Sequence, residues 1–316
     1  MDEHIPVLVD EAIKALAVRP AGVYVDATFG RGGHSARILQ ALGASGRLIA
    51  IDRDPAAIAA GRVRFASETR FTLVPGAFGN LAALVRATLG ERACDGVLID
   101  CGVSSPQLDT PERGFSFQVD GPLDMRMDTT SGEPLELRLA RAGSDEIRDV
   151  IARLGEERFA RRISDAIVRE RAVAPITRTL QLAGIVASAV PLREPGKNPA
   201  TRTFQALRMW VNDELGQLRG ALNDAASLLA GGGRLAVISF HSLEDGVVRD
   251  FMQRRASIAP ELAHLPVVPV SAQPQLKLVG RKQRAGASEV ARNPRSRSAM
   301  LRVAEKLIAV SREPAP

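Results

Sequence analysis

The stretch Val23-Tyr24-Val25-Asp26-Ala27-Thr28-Phe29-Gly30-Arg31-Gly32-Gly33-His34-Ser35 decides the fold. A run of contiguous apolar residues ends in an acid, passes through a glycine-rich turn and opens a helix after Gly33. Glycines at such a turn accept positive φ and let the backbone pass close to a ligand. The apolar runs 47–51, 71–74 and 96–99 repeat the pattern, with helical stretches between them. Contiguous rather than alternating hydrophobicity marks parallel strands covered on both faces. One helix follows Gly33, and a second opens at Asp54-Pro55, an N-cap followed by proline at the first helical position. A third runs over 80–89 and stops at Gly90. This β-α-β-α order predicts a parallel sheet with right-handed crossovers.

The alternation breaks after residue 105. Residues 106–134 are rich in Pro, Gly and Asp and read as irregular loop. Over 144–171 the apolar residues Ile147, Val150, Ile151 and Leu154 fall at i, i+3, i+4 and i+7, a helical stripe with Ser144 as its cap. The stripe resumes after Gly155 with Phe159, Ile163 and Ile167. Another helix spans 179–189, and 191–199 is a linker. The α/β pattern then returns: a long helix over 203–229 stopped by Gly231-Gly232-Gly233, a buried strand over 234–240, and a helix capped by Ser242. A loop over 260–274 follows, and the runs 275–279 and 299–303 are expected as edge strands. The reading is a doubly wound, mostly parallel α/β domain (1–105 and 201–316) with an all-helical domain (106–200) inserted.

The chain has 316 residues, 45% hydrophobic, enough for a large core and a satellite. No run reaches membrane-spanning length, and the first residues lack a basic segment followed by an apolar one, so neither a membrane span nor a signal peptide is expected. Cys94 and Cys101 form no metal or disulfide framework, and a reducing, cytoplasmic setting follows. Formal charge is +6. Between residues 277 and 302 stand Lys277, Arg281, Lys282, Arg284, Arg292, Arg295, Arg297 and Arg302, with Glu289 as the one acid. That excess suits phosphate contacts; a solvated segment accounts for it equally well on charge alone.

Site residues follow from where the strands end. Asp52 closes the second strand, where an acid can accept both hydroxyls of a ribose; a turn or capping role is the alternative. A dinucleotide turn wants glycine at the position of Ser35, which disfavours an NAD-type oxidoreductase. Acids at Asp26, Asp52 and Asp100 suit a cationic ligand instead, and S-adenosylmethionine fits. Phe78, after the third strand, is placed either to pack on an adenine face or to begin the following helix core. Beyond the fourth strand, Asp100-Cys101-Gly102-Val103-Ser104-Ser105-Pro106-Gln107 forms a polar loop where open α/β sheets hold ligands. Hydroxyls of Ser104 or Ser105 can accept from an exocyclic amine and sharpen its lone pair. His241 either orients substrate and moves a proton, or sits beside a capping box of Ser242 and Asp245.

At this point the sequence resembles the ribosomal RNA small subunit methyltransferase H (MraW-type) family. The resemblance rests on His4-Ile5-Pro6-Val7-Leu8, the turn 26–35, the segments 100–107, 109–117 and 121–128, Thr203-Phe204-Gln205-Ala206-Leu207-Arg208, 239–245 and Asn293-Pro294-Arg295-Ser296-Arg297-Ser298-Ala299. Cys101 stands where the family usually has Leu. The resemblance implies the class I S-adenosylmethionine methyltransferase fold and methylation of the 4-amino nitrogen of a cytidine in the decoding region of bacterial 16S rRNA. It implies cofactor contacts at Gly32, Gly33, His34, Asp52, Phe78, Asp100 and Gln107. Catalytic candidates are Ser104, Ser105 and His241. The partner implied is 16S rRNA or the small ribosomal subunit; the oligomeric state stays open between monomer and homodimer. A non-enzymatic RNA-binding assembly factor on the same scaffold is the competing reading, and the intact acids and glycine turn speak against it.

Overall fold

The chain enters through a short helix, α1 (Val9–Leu16), for which the hydropathy pattern carried no expectation. Ala12, Ala15 and Leu16 form its buried stripe. The expected alternation follows: β1 (Val23–Asp26), α2 (Gly33–Ala41), β2 (Arg47–Asp52), α3 (Pro55–Arg64), β3 (Phe71–Pro75), α4 (Leu81–Leu89) and β4 (Cys94–Asp100). Local chemistry sets the boundaries. Asp54 caps α3 by accepting from the Ala56 amide at 3.0 Å, with Pro55 next. Gly90, at φ +64, closes α4.

Next come α5 (Ser105–Asp109), α6 (Leu135–Arg141), α7 (Ser144–Gly155), α8 (Ala160–Val173), α9 (Thr179–Ala189) and α10 (Thr201–Asn212). The chain continues as α11 (Glu214–Leu228), β5 (Leu229–Ser239), α12 (Ser242–Ala256), β6 (Leu276–Leu278), β7 (Gln283–Arg284), α13 (Ala287–Arg292) and β8 (Met300–Lys306). The computed structural model describes residues 6–192, 196, 198–262, 264, 268–269 and 272–308. His4 and Ile5 of the first motif, residues 193–195 and 197 of the expected linker, and 263, 265–267, 270 and 271 of the expected loop lie outside the described residues.

Two compact units result: Met1–Gly102 with Leu215–Pro316, and Val103–Glu214. In the first, the sheet order is β3-β2-β1-β4-β5-β8-β6, with β7 also on β8. The first five strands pair in parallel and β8 runs antiparallel to β5. This is the doubly wound arrangement expected. Side chains alternate between its two faces, as the strand period requires. Val25, Ile49, Val97 and Val237 pack with Leu81 and Val85 of α4 and Leu218 and Leu222 of α11. Tyr24, Leu48, Leu98 and Ala236 pack with Leu16 of α1 and Ile38 of α2.

The second unit has its own core of Leu123, Leu135, Ile147, Ile151, Ile163, Leu182, Phe204 and Leu207. Among its described residues the regular structure is helical, apart from one antiparallel bridge, Pro122 to Arg178. The buried Asn212 side chain accepts from the Met127 amide at 2.9 Å and donates to the Met125 carbonyl at 2.7 Å, pinning the long loop to α10.

Several local expectations need correcting. Residues 106–134 are not wholly irregular, since α5 runs into them as far as Asp109 and a 3-10 turn follows at Pro111–Arg113. The stripe over 144–171 is two helices: Gly155 packs on α10, where a Cβ would come within 2.7 Å of the Arg202 carbonyl oxygen, and Glu156 turns left-handed at φ +49. Ser144 is the first helical residue, after Gly143 as cap. The helix expected over 203–229 is broken at Asp213, φ +47. Its stop comes at Leu228, ahead of Gly231-Gly232-Gly233, which fall in β5. The run 299–303 is no edge: β8 lies inside the sheet with Leu301 and Ala304 fully buried. No helix among the described residues is long and apolar enough to cross a membrane.

Candidate active site

Strands β2, β1 and β4 are neighbours, and each ends in an acid: Asp52, Asp26 and Asp100. Parallel pairing therefore brings three carboxylates to one end of the sheet. The glycine turn beside them needs its glycines. Gly30 and Gly32 have φ of +55 and +72, and a Cβ on Gly32 would lie 2.6 Å from the Phe29 ring. A Cβ on Gly33 would lie 2.8 Å from the Pro6 ring. The Gly30 amide donates to Oδ2 of Asp52 at 2.7 Å, and the Asp54 amide donates to Oδ1 at 2.8 Å. Two backbone donors thus fix the carboxyl plane of Asp52. Each oxygen keeps a lone pair for another donor. Burial pushes its carboxyl up to about 6, against the pull of those two amides.

Asp26 is 1% exposed and lies beneath the turn. It accepts from the Ser35 hydroxyl at 2.6 Å and the Thr28 amide at 3.3 Å. Burial pushes it, too, up to about 6. Ser35, at the position where a dinucleotide turn has glycine, is the partner of this buried acid. Thr28 serves twice, because its hydroxyl accepts from the Asp100 amide at 2.7 Å and ties the turn to the end of β4.

Asp100 has the most unusual surroundings. Its Oδ1 is buried with no hydrogen-bond partner among the described residues, an arrangement that ordinarily costs about 1–3 kcal/mol. Its Oδ2 stands 3.6 Å from Nδ1 of His34, whose Nε2 is 3.0 Å from the Val7 carbonyl oxygen. A carbonyl only accepts, so Nε2 carries a hydrogen. A neutral ring would then aim the Nδ1 lone pair at a carboxylate. The contact is attractive only when one more proton resides on the pair. Burial first, then the nearby charges of Asp26 and Glu244, push Asp100 well above the usual carboxylate range, consistent with that proton.

The remaining expected site residues are placed as follows. Phe78 opens a 3-10 turn, Phe78–Asn80, half-buried against the core beside α4. His241, and not Ser242, caps α12: its Nδ1 accepts from the Glu244 amide at 3.4 Å. Its Nε2 lies 3.0 Å from Oε1 of Glu244, while Oε2 accepts from the Phe240 amide at 2.7 Å. Asp245, expected to complete a capping box, instead forms a two-point ion pair with Arg302 at 2.6 and 2.9 Å. Ser104, Ser105 and Gln107 belong to the second unit. There Ser104 and Gln107 form a reciprocal capping box at the start of α5, with the Ser104 amide donating to Oε1 of Gln107 at 2.9 Å. Ser105 is the first residue of that helix. Thr28 and Glu244 were not singled out in the sequence, and Ser35 was, but not as the partner of Asp26.

The family model of the MraW methylase family matches residues 1–307. The chain belongs to the MraW methylase family. The methylase is 55% identical over 305 residues to the ribosomal RNA small subunit methyltransferase H of Thioalkalivibrio sulfidiphilus, covering 96% of this chain and 97% of that one. It is 54% identical over 312 residues to the protein of the same name from Chromobacterium violaceum, covering 98% and 97%. The Alteromonas mediterranea protein of that name is 52% identical over 307 residues, covering 96% and 98%. S-adenosylmethionine is the methylase's cofactor. The residues present fit it: Asp52 keeps lone pairs for ribose hydroxyls, and the orphaned Oδ1 of Asp100 is a buried acceptor for a donor on the ligand, while the buried Asp26 holds the turn through Ser35 and Thr28.

Proposed function

We propose that this methylase transfers a methyl group to the 4-amino nitrogen of a cytidine in the decoding region of 16S rRNA. Three observations support the reading: the family membership, the relatives' shared name, and above all the strand-end acids Asp52 and Asp100, the latter with an unpaired buried oxygen. The bound cofactor supplies an electrophilic methyl on a positively charged sulfur.

The chain's residues do the rest. Asp52, its plane fixed by the Gly30 and Asp54 amides, accepts from ribose hydroxyls. Gly32 and Gly33, whose Cβ space is taken by Phe29 and Pro6, offer the ligand their backbone, and Phe78 offers an aromatic surface to the adenine. His34 stands beside Oδ2 of Asp100, and Asp100 turns Oδ1 to a donor on the cofactor. Gln107 is assigned to the cofactor and Ser105 to the substrate amine, where an accepted hydrogen bond raises the nitrogen's electron density. Ser104 and His241, each at the cap of a helix, are assigned to holding these loops in place.

RNA is held by the basic segment. Lys277, Arg281, Lys282, Arg284, Arg292, Arg295 and Arg297 are all exposed, whereas Arg302 is taken by Asp245. The test is nucleoside mass spectrometry of small-subunit rRNA from cells with and without the protein. N4-methylcytidine present only with the protein supports the reading, and its presence in both rejects it.

A further inference from the structure

The residues just before α1 form a strap over the glycine turn. Pro6 packs on Gly33, and the Val7 carbonyl holds Nε2 of His34. Leu8, completely buried, has φ +51 and ψ +34, a left-handed conformation that costs a branched L residue energy and persists only when its surroundings enforce it. One enforcing contact is distant in sequence: the Leu8 amide donates to Oε1 of Glu289 at 2.8 Å. Glu289 lies in α13 and is the only acid between residues 277 and 302. An acid in a segment otherwise built to meet phosphate is unfavourable for RNA, so its presence needs another reason. The Leu8 contact supplies one. A continuous series of contacts runs from Glu289 to Leu8, from Val7 to His34, and from His34 to Asp100.

We propose that Glu289 is a positioning residue that couples the basic segment to the cofactor site by fixing the Pro6–Leu8 strap, and with it His34 against Asp100. The inference rests on the glycine turn and strand-end acids being the cofactor site and the basic segment the RNA contact. Its test is calorimetric titration of the full-length protein with S-adenosylhomocysteine, without RNA, for the wild type, Glu289→Ala, Glu289→Gln and Asp52→Ala. Glu289→Ala is expected to weaken binding about tenfold, within the usual range of couplings between sites. Glu289→Gln keeps an oxygen acceptor for the Leu8 amide and is expected to restore most of the affinity. Hydrogen exchange at that amide should accelerate in Glu289→Ala and stay slow in Glu289→Gln, which a general loss of folding would not produce.

Wild-type affinity in Glu289→Ala, with Asp52→Ala impaired, overturns the coupling and leaves the cofactor site standing. Wild-type affinity in Asp52→Ala removes the assignment of the cofactor site itself. Equal losses in Glu289→Ala and Glu289→Gln also overturn the proposal, because the amide side chain preserves the acceptor.

Discussion

Replacing Asp26 by Asn should stabilise the ligand-free protein near neutral pH, although it removes a buried and hydrogen-bonded side chain. The asparagine oxygen can accept from the Thr28 amide, and its NH2 can donate to Ser35, whose hydroxyl both donates and accepts. What disappears is the ionised form of a carboxyl pushed from 3.8 up to about 6 by burial. A carboxyl raised in the folded state favours folding fully below its unfolded value near 3.8. The advantage is lost as pH rises through 6, so above pH 6 the wild type carries a penalty of about 3 kcal/mol that the variant lacks. At pH 5 about half of that difference should remain, and by pH 4 little of it.

The assay is urea unfolding of ligand-free protein at pH 7.5 and pH 5, followed in the unit that contains the substitution. The lone tyrosine, Tyr24, is buried in β1 of that unit, whereas the lone tryptophan, Trp210, belongs to the other. Tyrosine absorbance therefore reports the relevant transition and tryptophan fluorescence does not. A variant no more stable than wild type at pH 7.5, or a difference independent of pH, refutes the account of Asp26 as a buried acid ionised at the fold's expense.

Other outcomes follow from the same geometry. Cofactor affinity should rise about tenfold between pH 5 and pH 7.5, because a ribose and a cation prefer the ionised form of Asp52, pushed up to about 6; calorimetry across that range checks it. Asp52→Ala should weaken S-adenosylhomocysteine binding at least tenfold at pH 7.5 while leaving the circular dichroism spectrum unchanged, since a charge-assisted contact of this kind contributes about 1.5–3 kcal/mol. Replacing both Arg295 and Arg297 by Glu should weaken RNA binding and lower the slope of log affinity against log salt by about 1.5 or more, measured by filter binding at several salt concentrations. The Cys94 thiol, fully buried and pushed up to about 12, should resist alkylation in the native protein and react on unfolding, as read by mass spectrometry.

The sheet was legible because contiguous apolar runs at 23–27, 47–51 and 96–99 leave little alternative to buried parallel strands. The strand-end acids could be placed for the same reason. What stayed hidden depends on tertiary contact. No local pattern announces that Asp213 turns left-handed and divides one expected helix into two. Gly231-Gly232-Gly233 looks like a stop, yet the chain had already left the helix, and the glycines serve the irregular join of β4 and β5. The interior place of β8 depends on partners far along the chain. At the site, the pairing of Ser35 with Asp26 and of His34 with Val7 and Asp100 is invisible to spacing. His241 looked chemical from its place at a strand tip, and a strand tip followed by a helix is equally where a cap belongs.

The order of strands also has a consequence for biosynthesis. β4 and β5 are hydrogen-bonded neighbours, yet the whole of Val103–Glu214 is translated between them. At ordinary elongation rates the edge of β4 must wait roughly six to twenty-six seconds for its partner, and β8 emerges later still. During that interval the nascent chain displays an unpaired, wholly apolar strand edge from Val97 to Ile99, the kind of surface that recruits holdase chaperones. The inserted unit, with its own core, can fold first, so slowing translation beyond residue 214 should increase aggregation more than slowing it before residue 95.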